Sequence, residues 1–155
     1  ICKANMKSFY KVIDSIKEAV NAEPFNSNVS YGSIDEIDLN KQSIFPLAHI
    51  EINNAEINEN YVTFNVTLYL MDLVDFSKDP DTTLFLGNDN QQDVENTQFA
   101  LATRVMRVLK KADLYRNKFE LAGAVNAQRL PSFENNLSGW EVNFQVGVAD
   151  DMTYC

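Results

Sequence analysis

Two stretches of this chain alternate large apolar residues with smaller or polar ones, and this period of two constrains the fold most strongly. In "YVTFNVTLYL", residues 61–70, every second residue is Val, Phe or Leu, and "SGWEVNFQVGVADD", residues 138–151, repeats the pattern from Trp140 to Val148. A period of two is typical of β-strands that bury one face. The sequence therefore predicts a sheet with one apolar face, and it leaves open what the polar face meets.

Two further segments extend the predicted sheet. "LAHIEI", residues 47–52, places Ala48, Ile50 and Ile52 on one side, which predicts an antiparallel partner for residues 61–70 across the connection "NNAEINEN". "FELAGAVNAQ", residues 119–128, predicts a strand that leads through "RLPSFENNLSG" into a last strand over residues 140–149. These four strands are grouped in two pairs along the chain.

A helix is predicted before each strand pair. Residues 4–22 place apolar side chains three and four positions apart, and the segment from Asp93 to Tyr115 repeats this spacing. Pro24 ends the first helix, and the Asn- and Ser-rich stretch 23–33 that follows is predicted to be a loop. The expected core stripe of the second helix consists of Leu101, Ala102, Val105, Val108, Leu109 and Ala112.

The order helix, strand, strand, helix, strand, strand predicts one α+β domain over residues 1–155. We expect a mostly antiparallel sheet of about four or more strands, with two helices packed on one face. Since two helices cover only one face, the opposite face is expected to meet water or a partner. That face carries Thr63, Asn65, Thr67, Asn143 and Gln145.

The charge balance restricts the partners of this domain. The chain has 22 acidic and 13 basic residues among 155, a formal net charge of −9. A surface that binds nucleic acid needs clustered Lys and Arg, so the acidic net charge argues against DNA binding. It is compatible with DNA that passes the protein unbound. No apolar run approaches the ~20 residues that cross a bilayer, which argues against a membrane protein.

Residues for catalysis or metal binding are sparse. The one histidine, His49, is expected on the outward face with Leu47 and Glu51, either as an acid–base pair with Glu51 or, as we favour, as a surface or interface residue. No Ser or Cys nucleophile motif, phosphate-binding loop or EF-hand spacing is present. The sequence therefore predicts a protein that is not an enzyme and that uses no metal or cofactor.

Two oppositely charged regions are candidates for contacts between proteins. The second helix carries a basic stripe that includes Arg104, Arg107 and Lys111, and the segment 76–92 combines carboxylates with three apolar residues: Asp79, Asp81, Leu84, Phe85 and Leu86. The basic stripe is either a solvated face near a helix C-terminus or a contact for the acidic segment of a neighbouring subunit. The second interpretation would join copies of the chain head to tail. Such contacts form a closed ring when the rotation between successive subunits adds up to a full turn.

Most of the chain resembles a known family of virus proteins. The stretches "DLNKQSIFPLAHIEI", "VTLYLMDLVD" and "DVENTQFALATRVMRVL", with the order of elements and the short acidic domain, look like the tail terminator and neck (head-tail connector) ring proteins of tailed bacteriophages, in particular those of crAss-like phages. The resemblance implies a mixed sheet with two helices on one side. It also implies rings, commonly sixfold or twelvefold, around the DNA channel between portal and tail.

The resemblance gives the expected function. It implies a structural virion protein that is assembled in the host cytoplasm and that contacts itself, neighbouring portal or neck proteins and tail tube proteins, while DNA passes through the channel without specific binding. The segment 76–92 would reach a neighbouring ring or the tail tube. The alternative that the residues leave open is a non-enzymatic ligand- or protein-binding module that uses the open sheet face.

Overall fold

The computed structural model describes residues 7–25, 27–38, 41, 44–74, 91–111, 119–130 and 137–149. The elements are α1 (Lys7–Asn21), β1 (Asn28–Tyr31), a short 3-10 turn (Ile34–Glu36), β2 (Leu47–Ile57), β3 (Tyr61–Leu73), α2 (Gln91–Lys110), β4 (Phe119–Arg129) and β5 (Leu137–Ala149).

The strands form one five-stranded sheet in the order β1-β2-β3-β5-β4. All neighbouring strands are antiparallel except β1, which lies parallel to β2. Both helices pack against the same face of this sheet. The predicted α+β class, with a mostly antiparallel sheet and two helices on one face, is confirmed.

The main core lies between the helices and the sheet. The four predicted strands contribute alternate residues, as the period of two predicted, and α1 contributes Ile13, Ile16 and Val20 from the predicted stripe. The central strands β3 and β5 supply most of the sheet side: Val62, Phe64, Val66, Leu68, Leu70, Val142, Phe144, Val146 and Val148. Because these side chains are almost fully buried, the main core is the largest source of folding free energy.

The predicted stripe of α2 needs one correction. Val108 is 51% exposed, whereas Met106, which the sequence did not predict in the core, is 6% exposed. Val108 borders a shallow cavity beside α1, while Met106 lies one turn after Ala102 and faces the sheet. Ala112 lies outside the described residues.

The stretch predicted as a loop after Pro24 contains β1. Its four residues pair with β2 from Asn28 opposite Leu47 to Tyr31 opposite Ile50. Strand formation here depends on a distant partner, since the local Asn and Ser content favours turns. The prediction of a loop throughout residues 23–33 was therefore wrong at Asn28–Tyr31.

The predicted connection "NNAEINEN" is also mostly strand. β2 continues to Ile57 through a bulge between Ile52 and Asn54, so only residues 58–60 form the turn to β3. A bulge inserts a residue without ending the pairing, and it shifts which side chains face each side of the sheet. The alternation read from residues 47–52 could not be extended across that shift.

A second, smaller core covers one end of the opposite face. Leu47, Met71 and Leu137 are buried there beneath residues of the connection between β1 and β2, which include Ile34, Ile37, Ile44 and Phe45. Two parallel strands need a long crossover connection, and in this chain the connection lies across the sheet. The expectation that only water or a partner covers this face is thus wrong at that end.

Candidate functional site

The remaining part of the face opposite the helices, here called the open face, is lined by amide side chains. Asn53 Nδ2 donates to Thr67 Oγ1 at 2.6 Å, and Thr67 Oγ1 donates to Asn143 Oδ1 at 2.8 Å, so one hydroxyl joins three strands. Asn65 Nδ2 donates to Asn54 Oδ1 beside this chain of hydrogen bonds. These side chains satisfy one another, which fixes the amide orientations across β2, β3 and β5.

A cavity of about 430 Å³ opens on this face next to β4. Asn53, Asn65, Asn143 and Gln145 line one side, and the other side is the bulged part of β4 around Gly123. At this bulge β4 departs from regular pairing between Ala122 and Asn126, which leaves the space. The cavity offers hydrogen-bond donors and acceptors, and Val66 and Phe144 also border it.

The open face is also acidic. Strands β2, β3 and β5 contain no lysine or arginine, and pairing places Glu56 and Glu141 on the open face, with Glu51 at its covered border. Burial raises the pKa of Tyr69, and the carboxylates of Glu51, Glu141 and Asp35 raise it further. Burial is the larger cause, and the carboxylates add to it because nearby negative charge disfavours the phenolate form of Tyr69.

His49 lies on the face opposite the helices with Leu47 and Glu51, as expected, but it is buried there and is not a surface residue. It is 1% exposed, and its Nε2 lies 2.9 Å from the Gly32 carbonyl oxygen, which can only accept. Nε2 therefore carries the proton, and Nδ1 accepts from the Ser30 hydroxyl at 2.8 Å. Burial lowers the pKa of His49, although the bond to Gly32 and the carboxylates of Glu51 and Glu36 act in the opposite direction.

This histidine joins β1 to β2. Ser30 and His49 occupy opposing positions of the two parallel strands, and Gly32 begins the connection that covers the other end of this face of the sheet. Glu51, the residue proposed to act with His49 as an acid–base pair, accepts from the Ile34 backbone amide at 2.9 Å. Both side chains are thus engaged with the connection, and this arrangement favours a structural role.

The basic stripe of α2 divides into residues with different surroundings. Arg104 Nη1 lies 2.9 Å from Glu23 Oε2, which joins α2 to the end of α1 within one chain. Arg107 and Lys110 are exposed beside a groove between α2 and β4, and Lys111 borders the separate cavity next to Val108. The predicted contact residues of this helix therefore do not form one continuous patch.

The α2–β4 groove is an apolar depression of about 220 Å³ on the helix side of the sheet. Its walls are Phe99, Thr103 and Met106 on α2 and Val125, Ala127 and Val142 on the strands. It exists because the two helices lie over the central strands and leave the inner face of the edge strand β4 partly uncovered. Among the described residues no carboxylate lines the groove, and the side chains of Arg107 and Lys110 border it.

A polar cluster fixes the N-terminal half of α2 at one end of this groove. Glu95 Oε1 accepts from Gln91 and Ser138, each at 3.1 Å, and from Arg129, while the Glu95 carbonyl oxygen accepts from Trp140 Nε1 at 2.9 Å. Partial burial raises the pKa of Glu95, but the hydrogen bonds from Arg129, Gln91 and Ser138 outweigh it, so the pKa is lowered overall.

Trp140 in turn packs on Phe99, with 5.1 Å between the ring centroids. The indole therefore lies behind one wall of the groove and is held by a hydrogen bond to α2. Trp140 is the single tryptophan of the chain, which makes its fluorescence specific for this region.

Several residues that the sequence singled out lie outside the described residues. These are the acidic and apolar members of the segment 76–92: Asp79, Asp81, Leu84, Phe85 and Leu86. Their proposed contact with the basic stripe stays a prediction.

The groove itself was missed by sequence reasoning. The signal that was present is Met106 beside Ala102, together with the apolar Phe99, which widen the apolar stripe of α2 towards β4. Within the described ranges, no group of three His, Cys, Asp or Glu side chains is arranged to hold a metal ion.

Comparisons with protein-family models and with curated proteins find no match for this chain. Of the two described helices, neither is long and apolar enough to span a membrane.

Proposed function

We propose that this chain is a structural subunit of the neck or tail of a tailed bacteriophage. In this proposal it assembles with copies of itself into a closed ring, sixfold or twelvefold, around the DNA channel, in the position of a tail terminator or head-tail joining protein. It acts in the virion after assembly in the host cytoplasm, next to portal or neck proteins and tail tube proteins. It performs no catalysis.

The observation that carries the proposal is the separation of charge between the two sides of the sheet. The open face presents amides and carboxylates on strands without lysine or arginine, whereas Arg107 and Lys110 lie on the helix side. A face of this kind repels phosphates at short range. Turned towards a channel, it would let DNA slide past unbound.

The same separation supports head-to-tail assembly. Because the open face is turned towards the channel, the cations of the helix side would pair with a different, acidic surface of the next copy, so like copies would associate through unlike surfaces. Such heterologous contacts form closed rings when the rotation between subunits closes. The exposed cations of α2 supply one of these surfaces.

Native mass spectrometry and negative-stain imaging of the purified chain, over a wide concentration range, test the proposal. We expect closed oligomers of a single size with a central hole. A monomer at every concentration would contradict self-assembly. DNA binding, followed as fluorescence anisotropy of a labelled duplex at low salt, is expected to be absent, and tight binding would contradict an open face that faces the channel.

One observation favours a second candidate, a non-enzymatic ligand- or protein-binding module. The open-face cavity of about 430 Å³ has the size of a small-molecule site and is lined by side chains that bind polar groups. In that case the chain would remain a monomer or dimer, and a polar ligand would raise its thermal unfolding temperature. Asn143→Ala would remove that protection, whereas Asn58→Ala, in the turn between β2 and β3, would leave it unchanged.

A further inference from the structure

The α2–β4 groove is built to accept an acidic segment with apolar side chains. Its walls are mostly apolar. Within the part of the chain that the structure describes, no carboxylate lines the groove, and the two charged groups at its border, Arg107 and Lys110, are both cations. An occupant that buries apolar side chains between α2 and β4 and places carboxylates beside these cations would complement it in both respects.

The chain itself contains a segment of this composition. Residues 75–90 read "DFSKDPDTTLFLGNDN" and contain four aspartates, one lysine and the apolar run Leu84, Phe85 and Leu86. In the sequence, Asp79 and Asp81 precede this run by a few residues. An extended chain would therefore place carboxylates about 10–17 Å from the apolar run, within one to three turns of a helix.

The dimensions favour the segment of another copy. Lys110 ends the 20-residue helix that Gln91 begins, so it lies about 28 Å from the point where the segment joins α2. Leu86 is five residues before Gln91, which an extended chain spans in at most about 18 Å. Leu86 of the same chain therefore cannot reach the Lys110 end of the groove. Phe85, six residues before Gln91, would reach Met106, about 22 Å along the helix, only in a fully stretched chain, whereas a neighbouring copy has no such restriction.

We infer that the α2–β4 groove of one subunit binds the segment 75–90 of a second copy of the chain. Phe85 and its apolar neighbours occupy the groove beside Met106, and the aspartates face Arg107 and Lys110. This inference rests on the proposed ring function and names the contact that joins its subunits.

Crosslinking between two differently marked full-length chains tests the inference. One chain carries Thr103→Cys in the groove and the other, lengthened by a tag, carries Thr83→Cys beside the apolar run; Cys2 and Cys155 are replaced by serine in both. With a short bis-maleimide we expect a crosslinked product of mixed mass. Each chain alone is the control, and neither should give a comparable product.

Charge and shape variants then test the specificity of the crosslink. Arg107→Glu with Lys110→Glu should reduce its yield roughly tenfold, since each exposed ion pair alters binding a few-fold and reversal adds repulsion. Lys11→Glu with Lys17→Glu on α1 is the matched control and should leave the yield unchanged. Ala127→Gln in the groove should reduce the yield, whereas Ala55→Gln on the exposed part of β2 should not.

The outcomes separate this inference from the proposed ring. If a chain with both cysteines forms the crosslink only within itself, or if the mixture gives no crosslink, the inference is overturned. Rings that persist without the crosslink would leave the proposed function standing and refute the groove as its contact. A monomeric chain without the crosslink would refute both.

A synthetic peptide of residues 75–90 gives an independent readout. Added to the full chain, it should change the fluorescence of Trp140, which packs against the Phe99 wall of the groove, in a saturable manner. A scrambled peptide of the same composition is the control. A response that is equal for both peptides, or absent, would count against the inference.

Discussion

Replacement of Gly139 by alanine should be among the most destabilising small changes in this protein. Gly139 lies in β5 opposite Met71 of β3, is buried, and has a φ of +154°, which L side chains rarely adopt. A Cβ built at this position would overlap the Leu70 carbonyl oxygen and lie 2.9 Å from its carbonyl carbon. Because these atoms belong to the backbone of the neighbouring strand, no side-chain rotation relieves the overlap.

The expected loss in the free energy of unfolding is the sum of two contributions, backbone strain and weakened hydrogen bonds. Backbone strain at a position of this kind costs about 1–3 kcal/mol. Separation of β3 from β5 at this point weakens ladder hydrogen bonds, each of which contributes about 1 kcal/mol. The bond from the Leu130 amide to the Gly139 carbonyl oxygen, 3.2 Å long, is disturbed as well. We therefore expect Gly139→Ala to lower the free energy of unfolding by about 3–5 kcal/mol.

Gly123→Ala is the matched control. Gly123 also has a positive φ, +70°, but a Cβ added there meets nothing within 4 Å. It should cost only the left-handed backbone penalty of about 1–2 kcal/mol. Urea unfolding followed by Trp140 fluorescence and by circular dichroism measures both variants. A loss for Gly139→Ala no larger than that for Gly123→Ala would refute the close approach of the two strands.

Three further predictions concern charge. Glu95→Gln keeps the acceptor oxygen but removes the charge that faces Arg129, so it should cost about 0.5–1 kcal/mol at neutral pH. Since the pKa of folded Glu95 is lowered, the stability that its charge contributes is present above the pKa of the unfolded residue and is lost as the pH falls through the folded pKa. Urea unfolding measures wild type and variant, and free energies of unfolding that fail to converge towards about pH 3 would contradict this prediction. Burial lowers the pKa of the single histidine, His49, so its stability contribution is complete above the usual value of 6.5 and falls as the pH drops below it. His49→Gln should remove that slope between about pH 7.5 and about pH 5.5 in urea titrations, and an unchanged slope would assign it to other groups. Arg107→Glu should raise the concentration needed for assembly by roughly threefold to fivefold in native mass spectrometry, whereas Lys11→Glu should not, and equal effects would indicate a general charge effect.

The parts of the fold that were predicted are those in which one residue pattern repeats for long enough. β3 and β5 alternate over more than eight residues, and α1 shows three- and four-residue spacing across its length, so their buried faces follow from the sequence. β1 has only four residues in an Asn- and Ser-rich stretch, and its strand conformation comes from pairing with β2. A local pattern contains no information about that distant partner.

The candidate site was less predictable because it depends on contacts between residues far apart in the sequence and on the order of strands in the sheet. The basic residues of α2 are visible in the sequence, but the partner of Arg104 is Glu23, which lies 81 positions away. The inner face of β4 is uncovered because β4 lies at the edge of the sheet. The alternation of residues within a strand does not determine where that strand lies in the sheet, so this position could not be predicted. Burial of His49 likewise requires β1 and its connection to lie next to β2.

The connection between β1 and β2 also determines which part of the open face is available to a partner. Ile34 and Phe45 help to cover the end that contains Leu47 and Met71, so the amide-lined region beyond Glu51 is what remains exposed. An apolar open face would favour nonspecific association that excludes water. Amides that form hydrogen bonds with one another instead present a hydrated surface. Under the proposed function, such a surface would line the channel, and the apolar contact between subunits would be made by the opposite side of the sheet, where the α2–β4 groove lies.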